Sequence, residues 1–342
     1  MTKKMKHALF LAVTALTLAA CAKTYEVEPE IGSAIGFKTW ANGLTKARTA
    51  GTSTFGNGDT FVVEGFKTIS GNNSVVFNNT TVSTTDGNNW TYEDTRYWDS
   101  QATSYTFFAV SSPTTALTFK ADGTIDATEV TFSGKNNDIL VANSVSRTPN
   151  PTYSTDPVHF VFKHIGAMVD LKVKKAAALS DATVAITGVQ LNNIADNGKV
   201  AVSGYSTNVP TIAWTNLAST SSYTNRSGAE DVETLPTNVT TATDLIKKLI
   251  VIPQELGDTK VLSISYTITD GAGNVNSFEN VPVKLNQFDK TDNETNTEEF
   301  ISAWAASTHY TYTLTISANA ISFTAEITDW GTAVDGYNYL VD

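Results

Sequence analysis

The sequence is poor in cysteine, histidine and catalytic motifs, and each shortage excludes a class of protein. One cysteine among 342 residues leaves no disulfide to hold the domains together and no cysteine pair for zinc. The four histidines form no His-Glu-x-x-His motif, and no Gly-x-Ser-x-Gly elbow occurs. We therefore expect a protein that is not an enzyme and that carries no cofactor or metal.

Positive charge is scarce as well. Lys and Arg number 23 against 34 Asp and Glu, for a formal net charge of −11. Nucleic acid phosphates are bound by clustered Lys and Arg, so we expect no nucleic acid partner. Residues 292–299 supply oxygen atoms that calcium could use, but they lack the glycine and the spacing of an EF-hand loop. A solvated acidic loop is the preferred interpretation.

Long apolar runs are also missing. The longest, residues 8–20, has about 13 residues, fewer than the roughly 20 that a membrane-spanning helix needs. Three lysines precede it, and small residues follow, which is typical of a secretory signal. The Leu-Ala-Ala-Cys sequence ending at Cys21 resembles a bacterial lipobox. That resemblance implies cleavage before Cys21, acylation of Cys21, and an envelope lipoprotein.

Ala22 follows the lipobox cysteine, where Asp or Glu can retain a lipoprotein at the inner membrane, so we expect anchoring in the outer membrane through lipid. An ordinary signal peptide with an incidental cysteine is the alternative. We assign residues 1–20 to the signal peptide and residues 21–30 to a lipid-proximal tether.

What is plentiful is β-forming sequence. Apolar and polar residues alternate in many short segments separated by Asn, Asp and Gly. The strongest alternation predicts a hairpin of residues 310–317 and 321–328, and Asp270–Gly273 predicts the turn of another hairpin. Residues 244–249 are predicted to form one short helical turn with Asp244 as its N-cap.

This pattern predicts an all-β protein made of antiparallel sandwiches. The segment Arg147–Pro151 reads as a stiff linker, so we expect an N-terminal sandwich domain over residues 31–150 and a C-terminal sandwich domain over residues 151–342.

Several short motifs in the chain resemble those of the fimbrillin family of lipoprotein-derived, protease-assembled pilins. They occur in family order over nearly the whole chain: Tyr97-Trp98, Tyr105–Val110 with Pro113, Asp138–Ala142, Val158–Val169, Ile252-Pro253-Gln254, Trp304, Tyr310-Thr311-Tyr312 and Asp329-Trp330. The resemblance implies two tandem transthyretin-like β-sandwich domains after the signal peptide, a role in fimbriae and adhesion, and other fimbrillin subunits as partners.

The resemblance also implies a maturing arginine-specific protease that cuts near the first strand, and Arg48 stands at the matching position. Cutting there makes residues 31–48 a removable propeptide strand whose candidate core contacts are Ile31, Ile35 and Phe37. A strand donated by another subunit could fill the vacancy. The candidate donor is the C-terminal tail with Tyr337, Tyr339 and Val341; the alternative is that this tail is simply the last strand of its own domain or a frayed end.

Other functions stay open from the sequence. The chain could be a permanently anchored outer-membrane lipoprotein that binds a glycan or a host protein without polymerising. Trp90, Tyr97 and Trp98 could form a sugar-stacking face, although aromatic residues in sandwiches are more often core. His159, His164 and His309 are interpreted as strand-surface or core-edge residues.

Overall fold

The computed structural model describes ten stretches of the chain: residues 31–41, 55–113, 115–132, 138–148, 156–218, 223–227, 232–287, 289–290, 299–318 and 321–329. Strands dominate them, and the only helical segments within these stretches are two 3-10 turns, Ala177–Leu179 and Leu285–Gln287. The protein is therefore all-β, as the alternation predicts. No helix among the described residues is long and apolar enough to cross a membrane.

The N-terminal half contributes ten strands. They are β1 (Ile31–Ala34), β2 (Phe37–Ala41), β3 (Thr60–Ile69), β4 (Asn72–Thr84), β5 (Trp90–Tyr92), β6 (Tyr97–Asp99), β7 (Ser104–Ser111), β8 (Ile125–Thr131), β9 (Leu140–Ala142) and β10 (Val145–Arg147).

The C-terminal half contributes sixteen more within the described residues. They are β11 (Val158–His164), β12 (Ala167–Lys175), β13 (Thr183–Asn192), β14 (Asn197–Ser206), β15 (Val209–Ala218), β16 (Tyr223–Ser227), β17 (Glu233–Thr234), β18 (Thr243–Val251), β19 (Gln254–Glu255), β20 (Val261–Thr269), β21 (Val275–Lys284), β22 (Asp289–Lys290), β23 (Glu299–Phe300), β24 (Ala303–Trp304), β25 (Thr308–Ile316) and β26 (Ile321–Asp329).

The N-terminal half is built on one large sheet with the order β2-β11-β9-β7-β3-β4-β5, in which β10 also pairs with β7. A two-stranded sheet of β1 and β6 lies beside it. Strand β11 follows the predicted boundary at residues 150 and 151 but belongs to the large sheet of the N-terminal half.

The C-terminal half has two main sheets, β18-β12-β25-β26-β22-β23 and β16-β13-β20-β21, with β17 paired to β13. Apolar side chains from both sheets share one buried cluster, which includes Val173, Ile186, Ile264, Tyr312 and Leu314. The two predicted hairpins are confirmed: β25 pairs antiparallel with β26, and β20 pairs antiparallel with β21. Amide N–H groups of Ala272 and Asn274 donate to the Asp270 carboxylate in the β20–β21 turn.

The two halves share structure at their junction. Strand β8 pairs with β14 in a three-stranded sheet, β15-β14-β8. Each half has its own buried cluster, and a third cluster joins them, with Phe108 and Val110 from the first half and Val200 and Ile250 from the second. The division at residues 150 and 151 into two separate domains stays a prediction.

The predicted helical turn at residues 244–249 is wrong, because this segment lies within β18. Pairs of apolar residues four apart imitate helical spacing there, but a β-bulge causes the spacing. Val169 pairs with Leu249 and Leu171 pairs with Ile246, so β18 carries an extra residue between them. Lys248 takes a positive φ of 53°, and its amide N–H donates to Asp170 Oδ1.

Candidate functional site

The candidate site is the groove that holds the first two strands. Strand β1 pairs antiparallel with β6, and β2 pairs parallel with β11 at the edge of the large sheet. Between them the chain crosses from one sheet to the other. The amide N–H of Ile35 donates to the Arg96 carbonyl at 2.8 Å, and the amide of Val158 donates to the Gly36 carbonyl at 2.7 Å. The segment is thus held on both sides by backbone hydrogen bonds.

Ile35 and Phe37 point into the first core. Their exposed fractions are 1% and 4%, and both belong to the buried cluster of the N-terminal half. Burying an aliphatic or aromatic side chain of this size contributes about 1.5–3 kcal/mol. The segment that contains β1, β2 and the two residues between them therefore supplies core side chains as well as backbone hydrogen bonds.

The ring of Phe37 is surrounded by other rings. It stacks on Phe160 at a centroid distance of 5.8 Å and meets four more edge-on. Those four contacts have centroid distances of 5.2 to 6.3 Å and involve Phe61, Phe77, Tyr92 and Phe107. Such edge-to-face and offset contacts add to the gain from burial.

Tyr92 also fixes the backbone of the first segment. Its hydroxyl donates to the Ile35 carbonyl at 2.6 Å while its ring lies against Phe37 and Phe77. Burial raises the pKa of the Tyr92 hydroxyl, which keeps the group neutral and able to donate.

The wall on the β6 side has its own supports. The amide of Asp99 donates to the Tyr105 hydroxyl at 2.6 Å, and the Trp98 indole packs edge-on against Tyr105 at 4.7 Å. Lys67 donates to Asp99 Oδ2 at 2.5 Å and holds the pKa of that carboxyl below its usual value. The strand that receives β1 is therefore anchored to the large sheet independently of β1.

Several predicted site residues lie outside the described residues: Cys21, Arg48, Tyr337, Tyr339 and Val341. Ile31 lies in β1, where its backbone pairs with Asp99, but its side chain is not described. The acidic stretch 292–299 falls outside the description except for Glu299. Among the described residues, no group of His, Cys, Asp and Glu side chains is arranged to hold a metal ion.

The aromatic trio proposed as a sugar-stacking face does not share one surface. Trp98 is buried, Trp90 is half-buried and packs edge-on against Phe61, and Tyr97 is 50% exposed. Because Trp98 is withdrawn from solvent, the three rings do not form one exposed stacking face.

His164 and His309 each lie beside an aspartate. His164 Nδ1 lies 2.7 Å from Asp138 Oδ1, with both side chains buried, and His309 Nε2 lies 3.0 Å from Asp170 Oδ2. Burial lowers the pKa of the half-buried His159. These positions agree with the interpretation of core-edge and strand-surface histidines.

Sequence reasoning named the two side chains that fill the groove and missed those that line it. Tyr92 is not among the predicted site residues, and Phe160 enters the sequence analysis only as part of the Val158–Val169 motif. Alternation shows that such rings face a core, but it does not show that strands distant in sequence bring them around one position.

Comparison with known proteins shows the family. The model of the fimbrillin-like family matches residues 45–330. No curated protein matches the chain.

Solved structures that this chain matches include a fimbrial protein from Bacteroides vulgatus ATCC 8482, with 19% identity over 87% of this chain and 99% of that chain, and a TM-score of 0.49. Another is a fimbrilin from Porphyromonas gingivalis W83, with 11% identity over 89% of this chain and 99% of that chain, and a TM-score of 0.46. Since the family match spans most of the 342 residues, the chain belongs to the fimbrillin-like family.

Proposed function

We propose that this chain is a structural subunit or accessory protein of cell-surface fimbriae that supports adhesion. It is exported as a lipoprotein and held at the outer membrane through acylated Cys21. An arginine-specific protease cuts after Arg48, and the mature chain joins other fimbrillin subunits by donor-strand exchange. Membership of the fimbrillin-like family supports the fimbrial role and the cell-surface location.

The observation that carries the proposal is the burial of Ile35 and Phe37 on a segment whose strands lie at sheet edges. An edge strand has a backbone partner on one side only, so it can leave without breaking the sheet in two. After a cut at Arg48, β1 and β2 keep no covalent link to the rest of the fold. Their departure with the lipid would uncover the buried cluster and leave backbone groups of β6 and β11 unpaired.

Such a vacancy favours a replacement strand. Desolvated backbone groups without partners are costly, and an exposed sheet edge is a template for another chain. The C-terminal tail with Tyr337, Tyr339 and Val341 is the candidate donor. Because each subunit would give a tail and receive one, the contact does not close on itself and builds a filament.

Protease treatment of the full-length folded protein tests this function. We expect an arginine-specific protease to release a fragment ending at Arg48, followed by ladders on a denaturing gel. The Arg48→Lys variant should stay intact and monomeric. Arg147→Lys, a change of an exposed arginine in β10, is the matched control and should behave as wild type. A monomer that never forms ladders would favour the permanently anchored lipoprotein.

Lipid attachment is tested separately. Cells that express the wild-type chain should incorporate labelled palmitate into it and retain it in the outer-membrane fraction. Cys21→Ser should lose both the label and the membrane association. Retention of the label by this variant would contradict acylation at Cys21.

A further inference from the structure

The five rings around Phe37 form a preassembled aromatic socket, which we call the Phe37 socket. Each ring comes from a different strand, and none of these strands is β1 or β2: Phe61 (β3), Phe77 (β4), Tyr92 (β5), Phe107 (β7) and Phe160 (β11). The socket therefore belongs to the part of the domain that stays when the first segment leaves.

The rings of the socket also contact one another. Phe77 packs against Tyr92 at 5.2 Å and against Phe107 at 6.2 Å, and Phe61 packs against Phe160 at 5.8 Å. These contacts do not depend on Phe37. The socket can keep its shape when Phe37 is withdrawn, which lowers the ordering cost for the next occupant.

Fixed polar groups beside the socket set the register of any strand in it. The Arg96 carbonyl accepts the amide of Ile35, the Tyr92 hydroxyl donates to the Ile35 carbonyl, and the Val158 amide donates to the Gly36 carbonyl. A Cβ built at Gly36 would meet only Pro157, whose Cβ lies at 3.5 Å and Cα at 4.0 Å, which are ordinary contacts. The groove thus accommodates an aromatic residue with an apolar residue two positions away, and it has room for a small side chain between them.

The chain itself carries a segment with this pattern beyond the last described strand. Thirteen residues follow Asp329, the end of β26, and include Tyr337, Tyr339 and Val341 at alternating positions. At about 3.3 Å per residue they reach on the order of 40 Å. With Tyr339 in the socket, the residue two positions away is Tyr337 in one strand direction and Val341 in the other.

We propose that Tyr339 of a second copy of this chain occupies the Phe37 socket and sets the register of the incoming strand. This inference rests on the proposed donor-strand exchange. Tyr339 is the central member of the alternating trio, so it is the ring with an apolar neighbour two positions away in both strand directions. Tyr337 has such a neighbour in one direction only.

Peptide exchange on the full-length protein tests the inference. The chain is labelled near residue 25, given a specific protease site within residues 42–54, and cut while folded. Peptides with the sequence of residues 331–342 are then added, and release of the labelled fragment and peptide binding are followed by fluorescence. A peptide of residues 31–41 is the positive control. Its Phe37→Ala form tests whether peptide binding depends on the ring that occupies the socket.

We expect the wild-type tail peptide to release the fragment. Tyr339→Ala should weaken its binding at least tenfold, the size expected when a central buried aromatic anchor is truncated. Tyr339→Phe should bind at least as tightly as wild type. Four of the five socket rings are phenylalanines, and the Tyr92 hydroxyl is directed at the backbone of the bound segment, so these five rings offer no partner for a second hydroxyl. Tyr337→Ala is the matched control and should lose less.

Two outcomes overturn the assignment: equal binding by the Tyr339→Ala peptide, or a larger loss with Tyr337→Ala. Failure of the proposed function looks different. Tyr339-dependent peptide exchange without ladders after cleavage at Arg48 would keep the socket and reject polymerisation. Normal ladders from a Tyr339→Ala chain would keep polymerisation and reject the socket.

Discussion

Single buried side chains tie together distant parts of this chain, and Gln254 is a clear case. It follows Ile252 and Pro253 in a short motif that resembles one of the fimbrillin family, and its exposed fraction is 6%. Its Oε1 accepts the amide of Ala195 at 2.9 Å, and its Nε2 donates to the carbonyls of Ala195 and Ile252. The motif therefore has a structural cause, because one amide side chain satisfies three buried backbone groups.

Replacing Gln254 with Ala should lower the free energy of unfolding by about 2–3 kcal/mol, because the buried partners of Gln254 are left unpaired. Urea unfolding measures the change. The exposed Gln101→Ala is the matched control and should change stability by less than about 0.5 kcal/mol. Equal stability of the two variants would contradict the structural role of Gln254.

Glu64 is a buried carboxylate, with an exposed fraction of 2%. Burial raises its pKa above the ordinary 4.5, although the Asn79 amide donates to Oε2 at 2.7 Å and opposes the shift. The folded state therefore holds this proton more tightly than the unfolded chain does. The resulting stability is largest below the ordinary pKa and is lost as the pH rises through the raised one.

For Glu64→Gln we expect a difference in stability that depends on pH. The free energy of unfolding of wild type should fall relative to that of the variant as the pH rises from about 4 to about 7. Unfolding curves at several pH values check this. Glu93→Gln, an exposed carboxylate change, is the control. A difference that is constant with pH would show that burial does not set the protonation of Glu64.

At the scale of elements, the two halves repeat one bulged hairpin. The β3–β4 register steps from Val63 with Thr80 to Gly65 with Phe77. The β20–β21 register makes the same step, from Ile264 with Val281 to Tyr266 with Phe278. An asparagine with positive φ, Asn79 or Asn280, marks each bulge.

Each bulge is closed from the opposite strand. The Asn79 amide donates to Glu64, and the Asn280 amide donates to Ser265 Oγ at 2.9 Å. The first copy adds one feature, since the Asn79 side chain donates to the carbonyl of Phe119 and accepts its amide. Both halves thus contain the same β-bulge, and only the bulge of the N-terminal half has the additional side-chain contact with Phe119.

We expect Asn79→Ala to cost more than Asn280→Ala. Both variants place alanine at a positive φ, so the strain is common to them and the difference reports the two bonds to Phe119. That difference should be about 1–3 kcal/mol, and thermal or urea unfolding measures it. A larger loss for Asn280→Ala would contradict this assignment.

The segment made by β1 and β2 should detach from the fold more often when the Phe37 side chain is truncated. Phe37→Ala removes a buried ring, a change that costs about 3–5 kcal/mol in a core. We expect faster hydrogen exchange of the Val158 amide, which bonds to Gly36, because the segment opens more often. The exposed Lys38→Ala is the control and should leave this exchange unchanged. Equal exchange in both variants would mean that Phe37 does not hold the segment.

At the scale of the whole molecule, the third buried cluster decides how the halves behave. Its members come from both sides of the predicted boundary, including Phe108 and Ile139 on one side and Met168 and Ile252 on the other. The β8–β14 pairing crosses the same junction. The halves therefore share buried surface that neither can keep alone.

We expect urea unfolding of the full chain to show one transition, seen together by tryptophan fluorescence and circular dichroism. The shared cluster couples the halves, so loss of one exposes apolar surface of the other. Two resolved transitions, or probes that do not coincide, would show that the halves unfold independently.

Much of the fold is readable from the chain because alternation is local. Strict alternation in residues 310–317 and 321–328 predicts β25 and β26, and the Asp270 turn predicts the β20–β21 hairpin. The bulge in β18 shows where that reasoning fails, since one extra residue shifts the phase and imitates a helix. Strands β14 and β15 are not predicted at all, although they build the sheet that joins the halves.

The sequence by itself determined that the protein is all-β, that no disulfide supports it and that Ile35 and Phe37 face a core, because side-chain alternation and composition are properties of neighbouring residues. Only the tertiary structure decided that β2 lies parallel to β11 at a sheet edge and that five strands converge on Phe37. The first fact depends on pairing between residues more than a hundred positions apart, as between Phe37 and Val158, and the second on rings from five separate strands. Local preference specifies neither.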